Sequence, residues 1–159
     1  RLAGAIAEFE HAWDAIAATE TWGFLAGLAE WAANGAALLG DPAATAPLAD
    51  RWEAVPRSAH TRMLRTHGGR LLAARAAAAG DEDAAADAFA DALAAARSLG
   101  RAGQLAPVLT DYGAWLVGCG RAEEAGPLLD EAREMFERMG ARRWLEHIDA
   151  VRAPRAVSA

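Results

Sequence analysis

The residues of this 159-residue chain that could do chemistry are four histidines, one cysteine and a few pairs of neighbouring carboxylates. A metal site or a catalytic centre needs several such groups that reach one point. His60 and His67 lie two helical turns apart, about 10 Å, which is too far for one metal ion. The sequence also lacks a phosphate-binding glycine loop, a serine-nucleophile motif and paired cysteines. We therefore expect no catalytic residue, no metal and no cofactor.

Regularly spaced glycines indicate which elements would position these side chains. Gly40, Gly80 and Gly120 lie 40 residues apart, and Gly100 and Gly140 share the interval. Each ends an Ala/Leu-rich stretch, and glycine is the residue that most easily adopts the left-handed conformation at a helix end. A period of 20–50 residues is the signature of repeat architectures. The sequence therefore predicts stacked helical repeats with a period of about 40 residues.

A pattern of small, large and small residues supports this period. Offsets of five, nine and twelve residues after a glycine lie on one face of a helix, where small residues permit close helix packing. The pattern comprises Thr45, Ala49 and Trp52; Ala85, Phe89 and Ala92; Ala125, Leu129 and Ala132; and, extended backwards, Ala5, Phe9 and Ala12.

The helical periodicity predicts an all-α fold of about eight antiparallel helices, because β-branched residues are scarce and alanine is abundant. A short third helix is expected to begin at Asp41-Pro42 and to end before Pro56, and Ser58 is expected to open the fourth. Gly68-Gly69 marks either a kink or a tight helix crossing. The predicted helices span about 3–18, 22–39, the short stretch from 41, 58–79, 82–99, 104–119, 122–139 and 142–152.

These features resemble the tetratricopeptide (TPR) repeat family. The residues that carry the resemblance are the spaced glycines, the small-large-small pattern after them, and Gly113 in DYGAWLVGCGR. The usual repeat is shorter, about 34 residues. The longer version is similar to TPR-like arrays in multidomain bacterial signalling ATPases, namely large LuxR-type transcriptional regulators and ATPase-linked adenylyl or guanylyl cyclases. The resemblance implies a TPR-like α-α superhelix over residues 1–152, followed by a frayed tail over 153–159. Because the chain opens inside a repeat, we expect a fragment of a larger protein.

The resemblance also implies a concave groove lined by the first helix of each repeat. In the family register, the residues thirteen, ten and six positions before each repeat glycine face this groove. We therefore expect a mixed-charge partner-binding surface that is exposed. Its residues are Gly27, Glu30 and Asn34; His67, Arg70 and Ala74; Pro107, Thr110 and Ala114; and, by extrapolation, His147.

The amino-acid composition limits the classes of partner that the chain is expected to bind. The net charge is −6 and all 16 basic residues are arginine, so direct nucleic-acid binding is disfavoured. The most basic segment, Arg51–Arg75, is expected to pair with acids or to be solvated. No apolar run reaches the roughly 18 residues that a membrane span requires. The lone Cys119 is compatible with a cytoplasmic location.

Two functions remain open. The first is a non-catalytic scaffold that binds a protein, a peptide or another domain of its own chain, and that could form oligomers through exposed terminal repeats. The second is an inducer sensor that holds a small molecule. A sealed apolar pocket with convergent polar groups would favour the sensor, and an open, shallow groove would favour the scaffold. Trp22 and Trp31 are nine residues apart, so they cannot both face the same core.

Overall fold

The computed structural model describes residues 2–153, which contain eight α-helices and no β-strand. Helical residues make up 86% of this part of the chain, so the all-α prediction is confirmed. The predicted tail falls almost wholly on residues 154–159, which lie outside the described range. The helices are α1 (Leu2–Ala18), α2 (Leu25–Leu38), α3 (Ala46–Glu53), α4 (Arg62–Ala78), α5 (Glu82–Leu99), α6 (Ala102–Gly118), α7 (Ala122–Met139) and α8 (Arg142–Arg152).

The predicted boundaries are accurate in the second half of the chain and less accurate in the first. Short 3-10 turns over Trp22–Phe24, Pro42–Thr45 and Arg57–Ala59 precede α2, α3 and α4. The prediction that Ser58 opens the fourth helix is wrong. Thr61 caps α4 instead, because its Oγ1 accepts a hydrogen bond from the Leu64 amide at 3.1 Å.

The glycines that suggested the repeat end their helices in the predicted way. The backbone φ angles of Gly40, Gly80, Gly100, Gly120 and Gly140 lie between +64° and +78°. An L side chain is strained in this left-handed region, whereas glycine is not. The positions of these glycines therefore determine where the helices end.

The small-large-small pattern marks buried positions throughout three repeats. All nine residues of the pattern between Thr45 and Ala132 are at most 5% exposed. Its backward extension into α1 is wrong by one residue, because Ile6 and Trp13 are the buried side chains and Ala5 is exposed. The buried residues of α1 are therefore shifted by one position from the pattern that the later helices follow.

Gly68 and Gly69 mark a tight crossing and not a kink, because α4 runs through them without a break. A Cβ on Gly68 would lie 2.5 Å from ring atoms of Trp52, and one on Gly69 would lie 2.8 Å from the Ala92 Cβ. A Cβ on Gly113 would lie 2.6 Å from the Leu129 side chain. Three glycines thus let α3, α5 and α7 approach their neighbours closely.

Helix α1 contacts α2, and from α3 onwards each helix contacts the next, while α2, α4, α6 and α8 contact one another in that order. We call these four the inner helices. The short glycine turns make α4 and α5, and likewise α6 and α7, antiparallel neighbours. One hydrophobic cluster is built from α1 to α4 and a second from α5 to α8. In addition, α2 contacts α8, although the two helices are far apart in sequence. None of the described helices is long and apolar enough to cross a membrane.

The contact between Gly68 and Trp52 generates a stability prediction. Gly68→Ala should lower the free energy of unfolding by about 1–3 kcal/mol, because the added methyl overlaps the Trp52 ring. Gly35→Ala in α2 is the matched control, since a Cβ there meets nothing within 4 Å. It should raise stability by about 0.5–1 kcal/mol. Chemical denaturation of both variants checks this, and equal effects would refute the close crossing.

Candidate functional site

The structure brings most of the predicted groove residues into one region, but it buries the centre of that region. Glu30 and Asn34 lie on α2, and His67, Arg70 and Ala74 lie on α4. Thr110 and Ala114 lie on α6, and His147 lies on α8. All eight are therefore carried by the inner helices.

The expectation that this surface is exposed is wrong at Pro107, which is buried on α6, and at three polar positions. Arg70 is 2% exposed, and His67 and Thr110 are 0% exposed. The Thr110 hydroxyl donates to the Ala106 carbonyl of its own helix at 2.9 Å, so it is not presented to a partner. Inner helices rich in alanine and glycine approach one another closely, and the longer polar side chains fill the space between them.

Arg70 connects three of the inner helices. Its Nε donates to Asp111 Oδ2 on α6 at 2.7 Å, and its Nη1 donates to Asn34 Oδ1 on α2 at 2.7 Å. Nη1 also lies 3.4 Å from His67 Nδ1. Nη2 is buried and has no hydrogen-bond partner among the described residues. A buried guanidinium without a full set of acceptors carries a free-energy cost that an added acceptor would remove.

His67 continues the network in one direction. Its Nε2 lies 2.5 Å from Gln104 Oε1, and Gln104 Nε2 donates to Glu30 Oε1 at 3.2 Å. Because the amide oxygen can only accept, His67 carries its hydrogen on Nε2. Its Nδ1 is then the acceptor that faces Arg70. Hydrogen bonds thus run from Arg70 through His67 and Gln104 to Glu30.

The surroundings of His67 keep its ring neutral. Burial is the main cause that lowers the pKa of His67 to about 4, and the neighbouring Arg70 charge lowers it further. The hydrogen bond to Gln104 opposes this shift. Burial also lowers the pKa of His147, against the opposing effect of Asp111.

Sequence reasoning missed Gln104 and Asp111, the partners that α6 contributes. A signal for them exists in the spacing, because several polar contacts join residues about one repeat apart. His67 and Gln104 are separated by 37 residues, and Arg70 and Asp111 by 41. The surface contacts of Arg51 with Asp14 and Glu10 span 37 and 41 residues. Opposite charges at the repeat distance would therefore have identified Asp111 as the partner of Arg70, whereas the neutral Gln104 gives no such signal.

A cavity of about 490 Å³ lies beside the network, between the inner helices and the loop after α2. Of the predicted groove residues, Arg70, Ala74, Ala114 and His147 line it. Asp111 is the third polar or charged lining residue on the inner helices, after Arg70 and His147. The other lining residues are Ala37, Gly40, Asp41, Pro42, Ala43, Ala77, Ala78, Phe89, Trp115, Val117, Ala150, Val151 and Ala153.

Aromatic side chains form one wall of this inner cavity. The rings of Phe89 and Tyr112 stack with centroids 5.0 Å apart, and Trp115 lies 5.6 Å from Phe89. Phe89 and Trp115 both line the cavity. The cavity therefore combines a largely apolar lining with a guanidinium, two carboxylates and an imidazole, and a few polar groups in an apolar lining are typical of small-molecule sites.

No family model, curated protein or solved structure matches the chain. Among residues 2–153, no group of three or more His, Cys, Asp or Glu side chains is placed to hold a metal ion.

The burial of Arg70 changes what its substitution should do. The sequence alone predicts that Glu30→Arg with Arg70→Glu would alter binding and leave the melting temperature nearly unchanged. The structure predicts instead that Arg70→Gln lowers the free energy of unfolding by about 3–5 kcal/mol, because Asp111 loses its buried partner. Arg138→Gln is the control, since its pair with Glu134 is exposed, and it should cost under about 0.5 kcal/mol. Denaturant unfolding compares them, and similar costs would contradict the network.

The lowered pKa of His67 predicts a loss of stability in weak acid. Below pH 6.5 the unfolded state takes up a proton at this residue, whereas the folded state does so only near pH 4. The free energy of unfolding should therefore fall by up to about 3 kcal/mol as the pH drops through this interval.

The control for this prediction is His67→Gln, which removes the titrating group and keeps an amide that can bond to Gln104. Unfolding curves at several pH values should show a shallower pH dependence for the variant than for the wild type. The effect of His147, which has the same sign, remains in both proteins. An unchanged slope would mean that His67 is not held neutral.

Proposed function

We propose that this chain is a TPR-like repeat domain that binds a small molecule between its inner helices and uses it as a regulatory signal. The glycine-ended helices, the buried small-large-small pattern and the ordered contacts among the inner helices support a superhelical repeat. A repeat array of this kind presents its inner helices to a ligand and has no need of catalytic groups.

The observation that carries the proposal is the cavity itself. Its lining is mostly alanine, valine and aromatic carbon, and its few polar groups converge from α4, α6 and α8. An open groove with exposed charges would suit an extended peptide, but His67, Arg70 and Thr110 are buried. The arrangement therefore favours the sensor over the peptide-binding scaffold.

The network defines the ligand chemistry. Arg70 Nη2 lacks an acceptor, and Asp111 uses only Oδ2 in its bond to Arg70. A ligand with a carbonyl or carboxylate oxygen would supply the missing acceptor, and an adjacent N–H or O–H would suit the second oxygen of Asp111. The apolar part of such a ligand would pack against Phe89 and Trp115. We infer a small amide or carboxylic acid with an apolar body.

The position of the cavity suggests how binding would be transmitted. Its lining includes the loop that follows α2 and the last turns of α8, which are far apart in sequence. A ligand between them would stabilise the closed contact of α2 with α8 relative to an open form. In a larger cytoplasmic regulator or signalling ATPase, this closure would be the signal passed to an output domain.

A protein-binding scaffold is the second candidate, and one observation favours it. Phe24 is 70% exposed and Trp31 is 72% exposed, and both belong to the segment that forms α2 and the turn before it. Large aromatic residues on a surface are frequent centres of protein interfaces. In this case the partner would dock near α2 and not in the cavity.

A ligand screen tests the sensor. We expect some members of a library of small amides and carboxylic acids to raise the melting temperature of the wild-type protein. Ala114→Phe, which fills the cavity, should abolish the shift. Ala94→Phe on the exposed surface of α5 should leave it unchanged. A library without hits, or hits that survive Ala114→Phe, would count against the cavity as the site.

A further inference from the structure

A second cavity of about 530 Å³ lies on the other side of α4. Arg65, Gly69 and Leu72 contribute to it, whereas Arg70 and Ala74 contribute to the inner cavity. Because successive helical residues are rotated by about 100°, these two sets lie on different faces of the helix. We call this second space the outer cavity. It is lined by Trp52, Arg57, His60, Arg65, Gly69, Leu72, Ala88 and Asp91.

The outer cavity holds two arginines, Arg57 and Arg65, that have no acidic partner within the described part of the chain. Most arginines of the described chain contact a carboxylate, including Arg51, Arg70 and Arg75 in the basic segment between residues 51 and 75. Arg57 and Arg65 form no ion pair with any residue in the range 2–153, and both line this cavity. In a chain with net charge −6, two unpaired guanidiniums at one cavity are a local excess of positive charge.

An aromatic pair gives this cavity a fixed wall. The His60 ring stacks on Trp52 with centroids 4.4 Å apart and an interplanar angle of 22°. His60 Nε2 lies 3.0 Å from the Val55 carbonyl, to which it donates, so the ring orientation is set. Trp52 rests in turn on Gly68, where any side chain would collide with it.

The rest of the lining is apolar or acidic. Leu72 and Ala88 contribute hydrocarbon, and Asp91 is the one carboxylate among the lining residues. The space is much larger than a bare inorganic anion fills. It therefore suits a molecule with a charged head and an apolar body.

We propose that the outer cavity binds a small organic phosphate, with the phosphate between Arg57 and Arg65 and the body against Leu72, Ala88 and the Trp52–His60 pair. Two planar guanidiniums match the several oxygens and double charge of a phosphate monoester better than a single carboxylate. A polyanion such as duplex DNA is a poorer match, because the surrounding protein is acidic. This site is separate from the inner cavity and does not depend on the function proposed for it.

Titration calorimetry with three probes tests the assignment: phenyl phosphate, inorganic phosphate and benzoate. Phenyl phosphate should bind most tightly, because it offers both the head and the body. Inorganic phosphate lacks the body, and benzoate lacks the second charge, so both should bind more weakly. Affinity for phenyl phosphate should fall as the salt concentration rises.

Matched arginine variants locate the binding. Arg65→Gln and Arg57→Gln should each weaken phenyl phosphate binding by about tenfold or more, since each removes a charged donor. Arg101→Gln is the control, because Arg101 is exposed at the start of α6 and lies outside the cavity. Both cavity arginines are exposed and make no ion pair, so these variants should remain folded, which their far-ultraviolet circular dichroism checks.

Several results would overturn the proposal. One is the absence of measurable phenyl phosphate binding by the wild-type protein at millimolar concentration. Another is an equal loss of affinity in Arg101→Gln and Arg65→Gln, which would indicate non-specific charge attraction. Benzoate that binds as tightly as phenyl phosphate would rule out a phosphate site. Duplex DNA that binds while phenyl phosphate does not would assign the arginines to nucleic acid instead.

Discussion

The buried guanidinium of Arg70 is the interaction on which the arrangement of the inner helices depends. A charge in the interior costs several kcal/mol unless it is paired and hydrogen-bonded. Here the compensation comes from three helices at once, because Asn34 lies on α2, His67 lies on α4 with Arg70, and Asp111 lies on α6. Alanine contacts would allow these helices to slide past one another. The directional bonds of Arg70 are satisfied in the observed register of α2, α4 and α6, and a shift of one helix against the others would break them.

The packing of the inner helices around Arg70 accounts for the cavity that lies beside them. Where α2, α4 and α6 are drawn together around Arg70, the space between them is filled, and a cavity remains beside it next to α8. The cavity that remains is bounded by small residues, since alanines at positions 74, 77, 114 and 150 lie where longer side chains would fill it. The cavity and the hydrogen-bond network thus share Arg70 and Asp111. The proposed ligand would therefore act directly on the groups that hold the helices in place.

The sequence predicts the periodic part of this fold well, because glycine and alanine impose it locally. Gly80, Gly100, Gly120 and Gly140 end helices by backbone conformation alone, and helices α5, α7 and α8 begin and end where expected. The helix boundaries in the first half of the chain are harder to predict, because Ser58 and Thr61 are both suitable N-cap residues for α4. His60 stacks on Trp52, and residues 57–60 form a turn that is separate from α4. Local sequence patterns do not predict this contact.

For the candidate site, the family register identifies the correct helices but not the exposure of their side chains. The register predicts that Glu30, His67 and Arg70 face inwards. In the structure, Glu30 and His67 both hydrogen-bond to Gln104, and Arg70 hydrogen-bonds to Asn34. The exposure of a side chain that faces inwards depends on how closely the neighbouring inner helices approach one another. That distance is set by the contacts between the helices and not by the register. Gln104 and Asp111 decide that pairing by supplying acceptors at the distance of one repeat. The same polar residues that would recognise a peptide in a wide groove therefore hold the inner helices together, and the open space lies in the cavity beside them.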